Sequence, residues 1–146
     1  MSEPGLGLAG IHHVGIVVED VDAALAAHQA AVGGDVVVRA ELPEHGVTAA
    51  AVRVGDSEIE FLAPLGENSS IQRFLDRRGP GLHHVAWRVH DIHASLSAAR
   101  LAGLRLIDEH PRVGLHGSLV AFLHPAGMNG VLTELVHDDE GTHDGK

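Results

Sequence analysis

Four side chains of this 146-residue sequence have the types and spacing to act on one cation: His13, Glu60, His84 and Glu134. The histidines stand 71 residues apart in near-copies of one segment, IHHVGIVVEDVDAAL over 11–25 and LHHVAWRVHDIHASL over 82–96. Each is followed, 47 and 50 residues later, by a glutamate in an apolar stretch, IEFLAP (59–64) and LTELVH (132–137). A carboxylate buried in an apolar strand is costly unless it is paired or bound to a metal. Two imidazoles with two carboxylates suit a hard or borderline divalent ion such as cobalt(II), manganese(II), zinc or nickel. In a six-coordinate shell, four protein ligands leave two positions for substrate oxygens, an arrangement that polarises a carbonyl group.

The elements that must position these residues follow from the duplication. His12 falls on His83, Val14 on Val85, Val18 on Val89, Asp20 on Asp91 and Leu25 on Leu96. A strand opens each copy (11–18, 82–89), and Asp20 or Asp91 then stands where a helix N-cap belongs. Helices over 21–32 and 92–102 run into Gly33–Gly34 and Gly103 as C-caps. Three strands complete each copy, near 35–40, 47–54 and 57–63 and near 104–108, 119–124 and 131–137. The expected fold is α+β: two tandem βαβββ modules, about 10–64 and 82–137, forming a curved, cup-like mixed sheet with helices on the outside. A linker over 65–81 carries Ser69 and Ser70 before a short helix, and the polar tail 138–146 reads as disordered. The whole is one domain.

Strand alternation sorts the faces. His13, Gly15 and Val17 oppose Val14, Ile16 and Val18, and His84, Ala86 and Arg88 oppose Val85, Trp87 and Val89. The purely apolar faces should pack on helices, leaving His13, Glu60, His84 and Glu134 on the others. His12 and His83 have the wrong parity and read as structural or supporting residues. His116 and His124 lack first-module partners and stay ambiguous, and Arg88 either contacts ligand or reaches to solvent. A formal net charge of −10 excludes general nucleic-acid binding. No apolar run is long enough for a membrane helix. The absence of cysteine excludes a disulfide framework and thiolate metal sites, which suits a cytoplasmic location.

The repeated segments, with LPEHGV (42–47), GDSEIEFLAPLGENSSIQRFLDRRGPGLHHVAWRV (55–89), EHPRVGLHG (109–117) and FLHPAGMNGVLTEL (122–135), resemble the vicinal-oxygen-chelate superfamily, which includes glyoxalase I and bleomycin-resistance proteins. Within it they look most like the methylmalonyl-CoA epimerase family. The resemblance implies one divalent metal ion, cobalt(II) first and manganese, zinc or nickel otherwise, held by His13, Glu60, His84 and Glu134. It implies interconversion of (2R)- and (2S)-methylmalonyl-CoA by C2 proton abstraction through an enolate, with Glu134 as a catalytic base, and a homodimer. Some members carry a second catalytic glutamate three residues after the glycine of the HGV-like segment, where this chain has Ala49. Glu60, related to Glu134 by the repeat, is therefore assigned as the second acid/base, with Glu44, His45 or a water in reserve. Arg73, Arg77, Arg78 and Arg112 are candidates for the coenzyme A phosphates. The alternatives are a glyoxalase I-type isomerase or lyase acting on a glutathione adduct and a non-enzymatic drug-sequestering protein of the bleomycin-resistance type.

Overall fold

The structure, a computed structural model, describes residues 5–67 and 69–138; the tail expected to be disordered lies, apart from Asp138, outside the described residues. Its elements are β1 (Leu8–Val17), α1 (Val21–Ala31), β2 (Asp35–Leu42), β3 (Val47–Val54), β4 (Ser57–Pro64), α2 (Ser70–Arg78), β5 (Gly81–Val89), α3 (Ile92–Leu101), β6 (Arg112–Val113), β7 (Leu119–Leu123) and β8 (Thr133–His137). Among the described residues no helix is long and apolar enough to cross a membrane.

The chain divides into two compact units. One spans 13–83; the other joins the described residues up to His12 with those from 84 onward. In the first unit the strands order as β2-β3-β4-β1. β2, β3 and β4 pair antiparallel, and β4 pairs parallel with β1, aligning Gly15 with Glu60. In the second unit the order is β5-β8-β7-β6, with β5 parallel to β8 and the remaining pairs antiparallel. This mixture of pairings, with helix connections between the parallel strands, is the α+β class expected from the repeat.

Capping explains where the helices begin. Asp20 accepts from the Ala23 amide, Asp91 from those of His93 and Ala94, and Ser69 from that of Gln72. The α3 start has a second acceptor, His137 Nδ1, which takes the Ile92 amide at 3.2 Å. The glycines placed at the C-termini by sequence are there in the left-handed region, Gly33 at φ 82° and Gly103 at φ 80°.

α1 and α3 each cover the apolar sheet face of their own unit. Val21 of α1 packs with Ala50, Val52, Phe61 and Ala63, and Ile16, Val18 and Ile59 join them. Ile92, Leu96 and Ala99 of α3 pack with Val89, Ala121, Leu123 and Leu135, flanked by Leu6 and Trp87. Leu6 comes from the far N-terminal end of the chain. The Ser95 hydroxyl donates to its carbonyl oxygen at 2.6 Å, tying the N-terminal segment to α3.

One expected strand is replaced. Over 104–108 there is only an isolated bridge between Leu106 and Leu123, and a two-residue strand, Arg112–Val113, follows later. The Asp108 carboxylate accepts from the Phe122 amide at 2.8 Å, so a side chain takes the place of a ladder carbonyl. Pro111, with no N–H, keeps a continuous ladder from forming until Arg112. β8 also starts two residues later than expected, because the Thr133 hydroxyl donates to the Val131 carbonyl and that residue closes the preceding turn.

Leu96 is 2% exposed at the centre of the second core. Leu96→Ala should lower the unfolding free energy by about 2–5 kcal/mol, read by urea denaturation; a loss of under about 1 kcal/mol would mean that the core collapses around the gap.

Candidate metal centre

The same construction appears in both units. In the first, the β1–β4 register sets Glu60 opposite Gly15, two residues beyond His13 on the same face. In the second, the β5–β8 register sets Glu134 opposite Ala86, two residues beyond His84. The residue opposite each acid is thus small, and the carboxylate leans along the strand toward the histidine. His13 Nε2 lies 3.3 Å from Glu60 Oε1, and His84 Nε2 lies 3.0 Å from Glu134 Oε1. All four side chains are buried: His13 and His84 are 3% and 2% exposed and the glutamates 7% each. The neighbours of opposite parity in the first unit, Ile16, Val18 and Ile59, pack instead in the core with Val21 of α1.

Their surroundings differ. Phe122 pairs with Glu134 across β7 and β8, and its ring stands edge-on to the His84 imidazole with centroids 5.4 Å apart. The Arg112 guanidinium lies over that phenyl ring, 5.7 Å from its centroid, and 3.5 Å from Asp108. In the first unit the residue across from Glu60 is Ala51. Glu58, 4% exposed, sits beside His13 in the β1–β4 register and binds the Arg53 guanidinium at 2.7 Å. Glu58 has the same strand parity as Glu60, but its burial and its arginine were not read from the sequence. The signal was present: Arg53 and Glu58 flank the Val54–Ser57 hairpin at equal distances and so must face each other.

The donor chemistry fits a divalent cation. An imidazole nitrogen and a carboxylate oxygen converge in each unit, at burial levels where an uncompensated carboxylate is unstable. His13, Glu60, His84 and Glu134 are a group of His and Glu residues able to hold a metal ion.

The remaining candidates have other settings. The His12 ring packs edge-on against His116, and His83 against Phe74, with centroids 5.6 and 5.1 Å apart. His124 Nδ1 accepts from the Ala126 amide and caps a 3-10 turn. Arg88 forms an ion pair with Asp138 at 2.6 Å. Ala49 is buried opposite Leu62 and offers no acid or base. Glu44 and His45 line a surface cavity of about 810 Å³ with Ser69, Ser70 and Arg73, and neither His13 nor Glu60 is in its lining. Arg77 and Arg78 are exposed on α2, where Arg78 lies over the Phe74 ring.

The sequence profile of the glyoxalase/bleomycin resistance protein/dioxygenase superfamily matches residues 12–122. The ethylmalonyl-CoA/methylmalonyl-CoA epimerase of Cereibacter sphaeroides is 39% identical over 127 residues, covering 86% of this chain and 95% of its own. The mitochondrial methylmalonyl-CoA epimerase of Homo sapiens is 37% identical over 129 residues, covering 88% and 73%. Among solved structures, the methylmalonyl-CoA epimerase of Mycobacterium tuberculosis superposes with a TM-score of 0.87 at 36% identity, over 98% of this chain and 97% of that one. A methylmalonyl-CoA epimerase in complex with methylmalonyl-CoA and NH4+ superposes with a TM-score of 0.86 at 35% identity, over 90% and 95%. With a fold shared over nearly its whole length and more than a third of its residues in common with these proteins, the chain belongs to the glyoxalase/bleomycin resistance protein/dioxygenase superfamily and, within it, to the methylmalonyl-CoA epimerases.

Proposed function

We propose that this protein interconverts the (2R) and (2S) forms of methylmalonyl-CoA by moving the C2 proton, with His13, Glu60, His84 and Glu134 as the ligands of one divalent ion. The observation that carries the reading is the repeated buried His–Glu pair, one in each unit, in a chain of the epimerase family.

The C2 hydrogen is flanked by a thioester and a carboxylate, so its removal gives an enolate with charge on the thioester oxygen. A divalent ion held by these ligands supplies Lewis-acid stabilisation of that charge. Inversion needs proton removal on one face and return on the other, hence two acid/base groups. We assign Glu134 as one and Glu60 as the other. Ala49 cannot serve, and Glu60 is the counterpart of Glu134 in the repeat. A carboxylate has two oxygens, so one can stay toward the ligand set while the other meets the proton. Leu62 and Val136, two residues beyond the acids on their strands, and Phe122, paired with Glu134, give the acids apolar neighbours that would limit stray protonation of the enolate by water.

Cobalt(II) is the proposed ion, supported by the borderline mixed imidazole–carboxylate donor set. Arg73, Arg77, Arg78 and Arg112 are proposed for the coenzyme A phosphates, a homodimer as the assembly, and the cytoplasm as the location, which the absence of cysteine suits.

Proton-to-deuterium exchange at C2 of methylmalonyl-CoA in D2O tests the activity directly. Metal-loaded protein should exchange and invert, and chelator-treated protein should not; a fully metallated protein that exchanges nothing would overturn the substrate assignment. Glu134→Gln should lower turnover by about 10²–10⁴-fold in protein that stays folded, and near-normal turnover would remove Glu134 from the base role. His84→Ala should lose most of the bound metal by elemental analysis; unchanged stoichiometry would sink its ligand assignment.

A further inference from the structure

We propose that Arg53 and Glu58 are positioning residues for the metal ligand His13, an ion pair that steadies the imidazole and adds negative charge beside the cation. The inference rests on the metal-centre reading above. Three neighbouring strands align these residues in one row: Arg53 on β3 is opposite Glu58 on β4, and Glu58 is beside His13 on β1. Residues opposite one another on a sheet face have Cβ atoms about 5 Å apart, within reach of long side chains. The next row on the same face is Ala51, Glu60 and Gly15. The backbone register therefore puts Glu58 beside the ligand histidine and one row from the ligand glutamate, with its Oε2 held by Arg53 on the β3 side.

Comparison of the two units shows what this pair replaces. In the second unit the place of Ala51 is taken by Phe122, whose ring edge holds the His84 imidazole. The place of Glu58, two residues before the acid, is taken by Leu132. His84 is thus steadied by an aromatic ring with an apolar neighbour. His13 has only the methyl group of Ala51 in that place, and a carboxylate at its side. The carboxylate is buried and its guanidinium partner is half exposed, at 4% and 53% of side-chain surface. A buried carboxylate is retained at a cost in desolvation that an exposed arginine only partly offsets. Carboxylates beside metal-bound imidazoles fix ring orientation, and their removal weakens metal binding by about 10–100-fold. That role accounts for an acid at a position where the repeat places leucine.

The test is cobalt(II) affinity of the metal-depleted full-length protein, measured by competition with a chromophoric chelator, alongside the thermal midpoint of the metal-free form. Glu58→Gln should weaken cobalt binding by about 10–100-fold and alter the visible spectrum of the bound ion, while the metal-free midpoint changes little. Arg53→Met, which keeps the carboxylate but removes what pins it, should weaken binding in the same direction and provides the answer if the first variant folds poorly. Asp22→Asn breaks the exposed Arg39–Asp22 ion pair of the same unit and should leave cobalt affinity unchanged. Cobalt affinity within twofold of wild type in both Glu58→Gln and Arg53→Met, with a lowered metal-free midpoint, would overturn the inference and make the pair purely structural. A wild-type chain that takes up no cobalt would instead overturn the metal-centre reading, and the inference with it.

Discussion

Burial of two carboxylates dominates the design of this protein. Glu60 and Glu134 sit on inner strands among alanine, leucine and valine, where an ionised acid without compensation is unstable. Each has one imidazole within about the reach of a hydrogen bond. The rest of the architecture serves that arrangement. Parallel pairing of the first and last strand of each module sets acid and histidine side by side. Gly15 and Ala86 opposite the acids leave the space the carboxylates lean into. α1 and α3 cover the other face, so the polar pairs do not compete with the apolar cores.

Duplication explains why there are two such pairs, and divergence explains why they are not equivalent. The second unit surrounds its histidine with an aromatic ring and apolar neighbours; the first surrounds its histidine with small residues and a charged pair. Under the proposed epimerisation, the two glutamates that the repeat provides would act as acid/base groups in different surroundings.

Much of this was legible in the sequence for a physical reason: the repeat turned weak single-residue signals into paired ones. A histidine such as His13 alone is unremarkable; the same residue type at His84, with acids at matching distances, is not. Helix starts were readable because Asp20, Asp91 and Ser69 are local caps. What sequence obscured depended on non-local chemistry. The segment at 104–108 has strand-like composition, but Asp108 spends its carboxylate on the Phe122 amide. His137 stands next to a polar tail, yet it accepts the first amide of a helix that begins 45 residues earlier. The burial of Glu58 was hidden because a charged residue beside a hairpin ordinarily faces water.

The bond from Ser95 to Leu6 has a consequence for how the chain is made. A ribosome releases Leu6 before its partner, which lies on a helix 89 residues later. The first module can assemble as soon as its four strands emerge, whereas residues 5–12 wait for the other half, with the backbone of Leu6 and the apolar strand behind it still uncovered. Closing so long a loop is entropically unfavourable and slow. Until Leu6 meets Ser95, the strand that follows it is open to association with another chain.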